Sequence, residues 1–167
     1  MELRKLKLED APLMYEWLHD ENVIKYLDII NTDKTMDDCK DFIIKSWNCD
    51  ENLHLAVIDD TGTYMGTVSL KHIDMEQKEA EFAIALRSSA MGLGFSDYGM
   101  REILRIGYEE KDLERIYWYV NTANKRAIRF YDKRGYQRMN LDEKPIRGGV
   151  SDKRYIWYQA RRTIEEN

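Results

Sequence analysis

Apolar and polar positions change period several times along this chain, and each change marks an element. Leu53–Ile58 and Tyr64–Leu70 are runs of apolar and β-branched residues joined by Asp59-Asp60-Thr61-Gly62, the pattern of two strands and a hairpin turn. Lys71 to Lys78 ends the second strand and turns the chain into Ala80-Glu81-Phe82-Ala83-Ile84-Ala85-Leu86. There large Phe82, Ile84 and Leu86 alternate with small alanines, as expected of a strand buried on both faces. Ser88, Ser89, Gly92 and Gly94 then break the pattern. Helical spacing follows at Met100, Ile103, Leu104 and Tyr108. Arg115–Val120 reads as a strand, and Ala127, Ile128 and Tyr131 as a helix begun by Asn124 and ended at Gly135, with a strand from Tyr136.

On the N-terminal side, Glu2–Leu8 reads as a first strand and Asp10 as the cap of a helix carrying Pro12 in its first turn and Leu13, Met14, Trp17 and Leu18 on one face. A second helix starts near Thr35, with Met36, Phe42, Ile43 and Trp47 opposite Asp37, Asp38 and Asp41. The C-terminus adds a long loop at Pro145–Gly149 and a final strand at Lys153–Tyr158, whose exposed aromatics, such as Trp157, offer an edge for a homodimer. The order is one strand, two helices, three antiparallel strands, then αβαβ: an α/β (α+β) chain.

Length and 43% hydrophobic content suit a single domain over residues 1–167. A net charge of −5 argues against nucleic acid and is compatible with a cationic small substrate. Cys39 and Cys49 match no redox or metal spacing, and His19, His54 and His72 are scattered, read as surface or edge residues, so no metal is expected. The N-terminus mixes charge with single apolar residues, unlike a signal peptide or membrane span, so a cytoplasmic protein without membrane contact is expected.

Strand, glycine loop and helix in that order can cradle a phosphate, because the glycines turn N–H groups inward and the helix start presents unpaired donors and partial positive charge. Here the sequence resembles the GNAT superfamily of acetyl-coenzyme A dependent N-acetyltransferases. Met91-Gly92-Leu93-Gly94-Phe95-Ser96 is similar to its pyrophosphate loop, Gln/Arg-x-x-Gly-x-Gly/Ala. Asn124, Ala127, Tyr131, Gly135 and Tyr136 match its Asn-x-x-Ala-x-x-x-Tyr-x-x-x-Gly-Phe pattern. The run before the loop looks like that of bacterial polyamine acetyltransferases. Met91 replaces a polar residue, and Asp97 stands at a hydroxyl position, where its carboxylate repels a pyrophosphate unless it turns away or pairs with a cation such as Arg101.

The resemblance implies a mixed, mostly antiparallel twisted sheet of about six to seven strands flanked by helices. It implies acetyl-CoA as cosubstrate, held by the loop from Met91 to Ser96, by Asn124, and by main-chain pairing along Ile84 and Leu86. Tyr131 takes the place of the general acid and Glu81 that of a general base, whose apolar neighbours would raise its pKa. The acceptor is then a primary amine of a small molecule, a polyamine or an amino sugar. A protein N-terminus is the alternative, and so is a regulatory module that binds acetyl-CoA without turnover. Carboxylates such as Asp37, Asp38 and Glu81 around the acceptor would favour a polyamine, and cations a phosphorylated sugar.

Overall fold

The computed structural model describes residues 1–27, 33–140 and 154–163. The loop expected at Pro145–Gly149 and the start of the final strand at Lys153 lie outside them. Seven strands form one sheet: β1 (Glu2–Lys5), β2 (Leu53–Ile58), β3 (Tyr64–Asp74), β4 (Glu79–Leu86), β5 (Arg115–Asn121), β6 (Gln137–Arg138) and β7 (Tyr155–Arg161), ordered β1-β2-β3-β4-β5-β7-β6. All neighbours are antiparallel except β4 and β5. Helices α1 (Ala11–Leu18), α2 (Glu21–Ile24) and α3 (Met36–Ser46) precede the sheet's central strands; α4 (Phe95–Arg105) and α5 (Lys125–Lys133) flank β5 in sequence.

Register assigns the two faces, because cross-strand partners point to the same side. Val68 pairs with Leu55 and Ile84, and Leu70 with Leu53 and Phe82. This apolar face packs against Met100, Ile103 and Leu104 of α4 and Ile128 and Tyr131 of α5 in one core. The opposite face takes Ser69 with His54 and Ala83, Thr67 with Ala56 and Ala85, and Lys71 with Glu81. Ala56 there belongs to a second core with Met14 and Trp17 of α1 and Cys39 and Ile43 of α3.

Several boundaries differ from the sequence reading. β1 stops at Lys5, and Asp10 does not cap α1: its carboxylate takes both terminal nitrogens of Arg4 at 2.8 Å and the Lys7 N–H at 2.9 Å. Helix α4 begins at Phe95, directly after Gly94, ahead of the first apolar repeat at Met100. β4 is not buried on both faces, since Ala83 and Ala85 are only half-buried beside a buried Phe82. Strand β7 lies between β5 and β6, paired with β6 over Gln137 and Arg138, and its Trp157 is buried instead of exposed.

Candidate active site

Strands β4 and β5 pair only from Glu79 to Glu81 against Arg115 to Tyr117. Both continue, to Leu86 and Asn121, without further pairing to each other, so they splay. The wedge between them opens into a cavity of about 570 Å³. Its walls run from Trp17 and Phe42 under α1 and α3, past Ala83 and Ala85, to Asn124 and Tyr131 on α5. Small alanines on β4 leave the room that larger side chains would fill.

The glycine loop lies beyond the end of β4. Gly92 and Gly94 have φ of +80° and +87°, a region open to glycine without strain, and Gly94 is the N-cap of α4. The first intrahelical bond is donated by the Tyr98 N–H to the Gly94 carbonyl at 3.0 Å, so the N–H groups of Phe95, Ser96 and Asp97 precede it as anion donors. An Arg126 guanidinium nitrogen lies 3.8 Å from where a Cβ on Gly92 would sit, placing a cation beside the loop. Asp97 pairs with Arg134 at 2.8 Å. It does not pair with Arg101, which lies 3.4 Å from Glu102 and over the Tyr98 ring. Met91 and Phe95 anchor the loop in the two cores, and Leu93 is exposed.

Of the residues expected on the coenzyme path, Ile84 and Asn124 line the cavity, whereas Leu86 is buried off it. Asn124 also caps α5: its side-chain oxygen accepts the Ala127 N–H at 3.1 Å, leaving its NH₂ to donate elsewhere. Tyr131 lies in the cavity wall against Trp118 and Tyr158, at ring distances of 5.2 and 5.3 Å. Burial pushes its phenol well above the ordinary value of 10.0, which keeps the hydroxyl protonated. Glu81 is 5% exposed and lines the same cavity, with Lys71 Nζ at 2.7 Å from its carboxylate.

The sequence reading missed the neighbours of Glu81. His54, taken for a surface or edge residue, lines the cavity with Nδ1 2.7 Å from Ser69 Oγ and its ring 4.7 Å from that of Phe42. Burial first, and then Lys71, bring its pKa down to about 4, so the imidazole is neutral. Thr67, Ser69 and Lys71 alternate with Val68 and Leu70, and that alternation was the available signal for a polar face inside the domain. Asp38, Tyr26 and Tyr155 reach the cavity; Asp37 and Trp47 do not, and the Trp47 indole donates to the Leu6 carbonyl at 2.8 Å. Among the described residues, no helix is long and apolar enough to cross a membrane and no group of three ligands for a metal occurs.

Known proteins share this architecture. An uncharacterized N-acetyltransferase, p20, of Bacillus licheniformis is 25% identical over 155 residues, 90% of this chain and 87% of that one. The spermidine N(1)-acetyltransferase of Vibrio cholerae is 22% identical over 134 residues, 80% of this chain and 77% of that one. The crystal structure of Vibrio cholerae spermidine N-acetyltransferase in complex with CoA and spermine superposes with a TM-score of 0.80 at 21% identity, over 96% of this chain and 94% of that one. The family model for the acetyltransferase (GNAT) domain matches residues 1–137, from β1 to the start of β6. The chain belongs to the GNAT acetyltransferase family, and it is an acyltransferase.

Proposed function

We propose that the protein transfers an acetyl group from acetyl-CoA to a primary amine of a small molecule. The observation that carries this reading is the splay of β4 and β5, which opens one cavity between a phosphate-type loop and a polar strand face. The residues present fit the coenzyme. The N–H groups of Phe95 to Asp97 and the Arg126 guanidinium suit its phosphates, and the unpaired edge of β4 beyond Glu81 suits the amides of its pantetheine arm. When bound, acetyl-CoA supplies an activated thioester as acetyl donor. Asn124 has an amide NH₂ free to orient a ligand, Tyr131 holds a proton at Oη for a leaving thiolate, and Glu81 with His54 offers acceptors for the amine's N–H groups. Tryptophan, leucine and phenylalanine side chains in the walls give the amine apolar surroundings. The relatives that act on spermidine make a polyamine the first acceptor to try, and an amino sugar the second.

The test is a thiol-release assay with acetyl-CoA against spermidine, amino sugars, alkylamines and short peptides. Amine-dependent release, with the acetylated amine found by mass spectrometry, is expected. Calorimetric binding of acetyl-CoA with no release for any amine would sink the transferase reading for a regulatory one.

A further inference from the structure

On the polar face, Lys71 stands opposite Glu81 and Ser69 opposite His54, whereas Thr67 lies between the methyl groups of Ala56 and Ala85. Its hydroxyl is bonded instead to that of Tyr64, at 2.7 Å. Residues 64 and 67 would point to opposite faces of a regular strand. Here the register against β2 shifts: Val57 pairs with Gly66 and Ile58 with Tyr64, so Met65 is the extra residue of a bulge. The bulge turns Tyr64 into the core beneath α1, on the side of Thr67. It also needs a glycine, since a Cβ on Gly66 would lie 2.3 Å from the Ala85 carbonyl oxygen.

Donor chemistry gives these bonds a direction. The Trp17 indole N–H can only donate, and it gives its proton to Tyr64 Oη at 3.0 Å. Tyr64 is 1% exposed, and burial pushes its phenol well above the ordinary value, so Oη keeps its own proton. Among the described residues Thr67 Oγ1 is the acceptor for it; were Thr67 the donor, a buried phenol proton would have no partner. The chain therefore runs from Trp17 through Tyr64 to Thr67 and leaves the Thr67 hydroxyl proton to be donated. Trp17 and Thr67 both line the cavity, and no other hydrogen bond engages Thr67 among the described residues. Strand β4 separates β3 from the gap beside β5. Thr67 is thus reached across the sheet face, over Ala83 and Ala85, and not along the free edge of β4 that suits the pantetheine arm.

We propose that Thr67 is a specificity-determining residue of the acceptor site, its hydroxyl proton presented by Tyr64, a positioning residue, to an oxygen of the acceptor. This rests on the reading of the cavity as an amine site, with the nitrogen near Glu81 and His54. At about 3.3 Å per residue, Thr67 stands roughly 7 Å along β3 from Ser69 and roughly 13 Å from Lys71. The acceptor is then a primary amine with a hydroxyl or carbonyl oxygen several bonds from its nitrogen, and the chain between them lies along Ala83, Ala85 and Trp17. An oxygen has the lone pair that takes the Thr67 proton; an ammonium has none.

The experiment measures kcat/KM for butylamine, hexylamine and octylamine, and for the amino alcohols with a terminal hydroxyl on the same chains, in the wild type, Thr67→Val, Thr67→Ser and Tyr64→Phe. At the length that spans the site, the wild type should favour the amino alcohol over its alkylamine about tenfold, the scale of one well-made neutral hydrogen bond. The ratio should fall to about one in Thr67→Val, persist in Thr67→Ser, which keeps the hydroxyl, and drop about threefold in Tyr64→Phe, where the Thr67 proton is no longer directed. Each ratio compares two substrates on one folded enzyme, so a loss of stability cancels, and a chain that only holds the core together would leave it unmoved. Thr67→Ala serves where Thr67→Val does not fold. A wild-type ratio near one at every length overturns the inference and leaves the transferase reading intact, as does a ratio that survives in Thr67→Val. An unchanged ratio in Tyr64→Phe overturns the positioning role. Transfer to spermidine or glucosamine but to none of the amino alcohols overturns the inference alone, whereas acetyl-CoA binding with transfer to no amine at all overturns the transferase reading with it.

Discussion

The two faces of the sheet are written by the same strands and differ in almost every property. Toward α4 and α5, Val68, Leu70, Phe82 and Ile116 are buried in a continuous apolar core. Toward α1 and α3, one residue further along each strand, Thr67, Ser69, Lys71 and Glu81 surround a cavity with His54. The period of two lets one strand hold the fold with alternate residues and present chemistry with those between them. Stability and activity should therefore separate by face, a division that substitutions can break.

The largest expected effect is on the apolar face. Ile103 on α4 is fully buried in that core, so Ile103→Ala should cost about 2–5 kcal/mol by the lost transfer energy and the cavity left behind. Urea unfolding measures it; per folded molecule, kcat should change little. A cost under ~1 kcal/mol would mean that α4 is not held by this face.

Next in size is Tyr131→Phe, which crosses the division, because Tyr131 packs in the apolar core and also lines the cavity. Its ring contacts survive the change, and its hydroxyl has no hydrogen-bond partner among the described residues. The denaturation midpoint should stay put while kcat falls about 10²-fold. Equal loss of stability and rate would assign the hydroxyl to packing instead of proton donation.

These elements also differ in how legible they were. The apolar face followed from periodicity alone, since Phe82, Ile84, Ile103 and Leu104 repeat at the spacing of a strand and a helix. The hairpin at Asp59–Gly62 and the Asn124 cap were readable from local turn chemistry, which needs no tertiary partner. The cavity was harder to see. Ala80–Leu86 looked buried on both faces, yet its small residues leave space instead of packing, and only the splay of β4 from β5 reveals that. His54 and Lys71 join Glu81 through sheet register, a non-local property that no window along the chain contains. The partner of Asp97 was misread for the same reason: Arg101 is near in sequence, Arg134 near in space.

A smaller effect is expected at the loop. Arg126 is the cation beside Gly92, and Met91, pinned in the core, cannot reach a phosphate with a polar group. Arg126→Ala should raise the KM for acetyl-CoA about fivefold, the scale of one partly exposed charge contact, with kcat unchanged. Added salt should erase most of the difference. A KM that does not move would place the phosphates elsewhere.

The finest test concerns the dielectric of the polar face. Burial and Lys71 hold His54 at about 4, against an ordinary 6.5. The facing groups are Ser69 and Lys71 from β3 and the Phe42 ring from α3, with Asp38 and Cys39 of α3 in the same cavity wall. Between these two pH values the unfolded chain holds a proton on His54 that the folded chain does not, so the unfolded state binds more protons. Stability from this group is thus fully present above pH 6.5 and declines as pH falls toward 4. His54→Gln cannot take up that proton, and the chain has only three histidines, so its urea midpoint should fall less steeply than the wild type's across this window. Parallel pH profiles would mean that water reaches His54 freely and that burial does not hold its imidazole neutral.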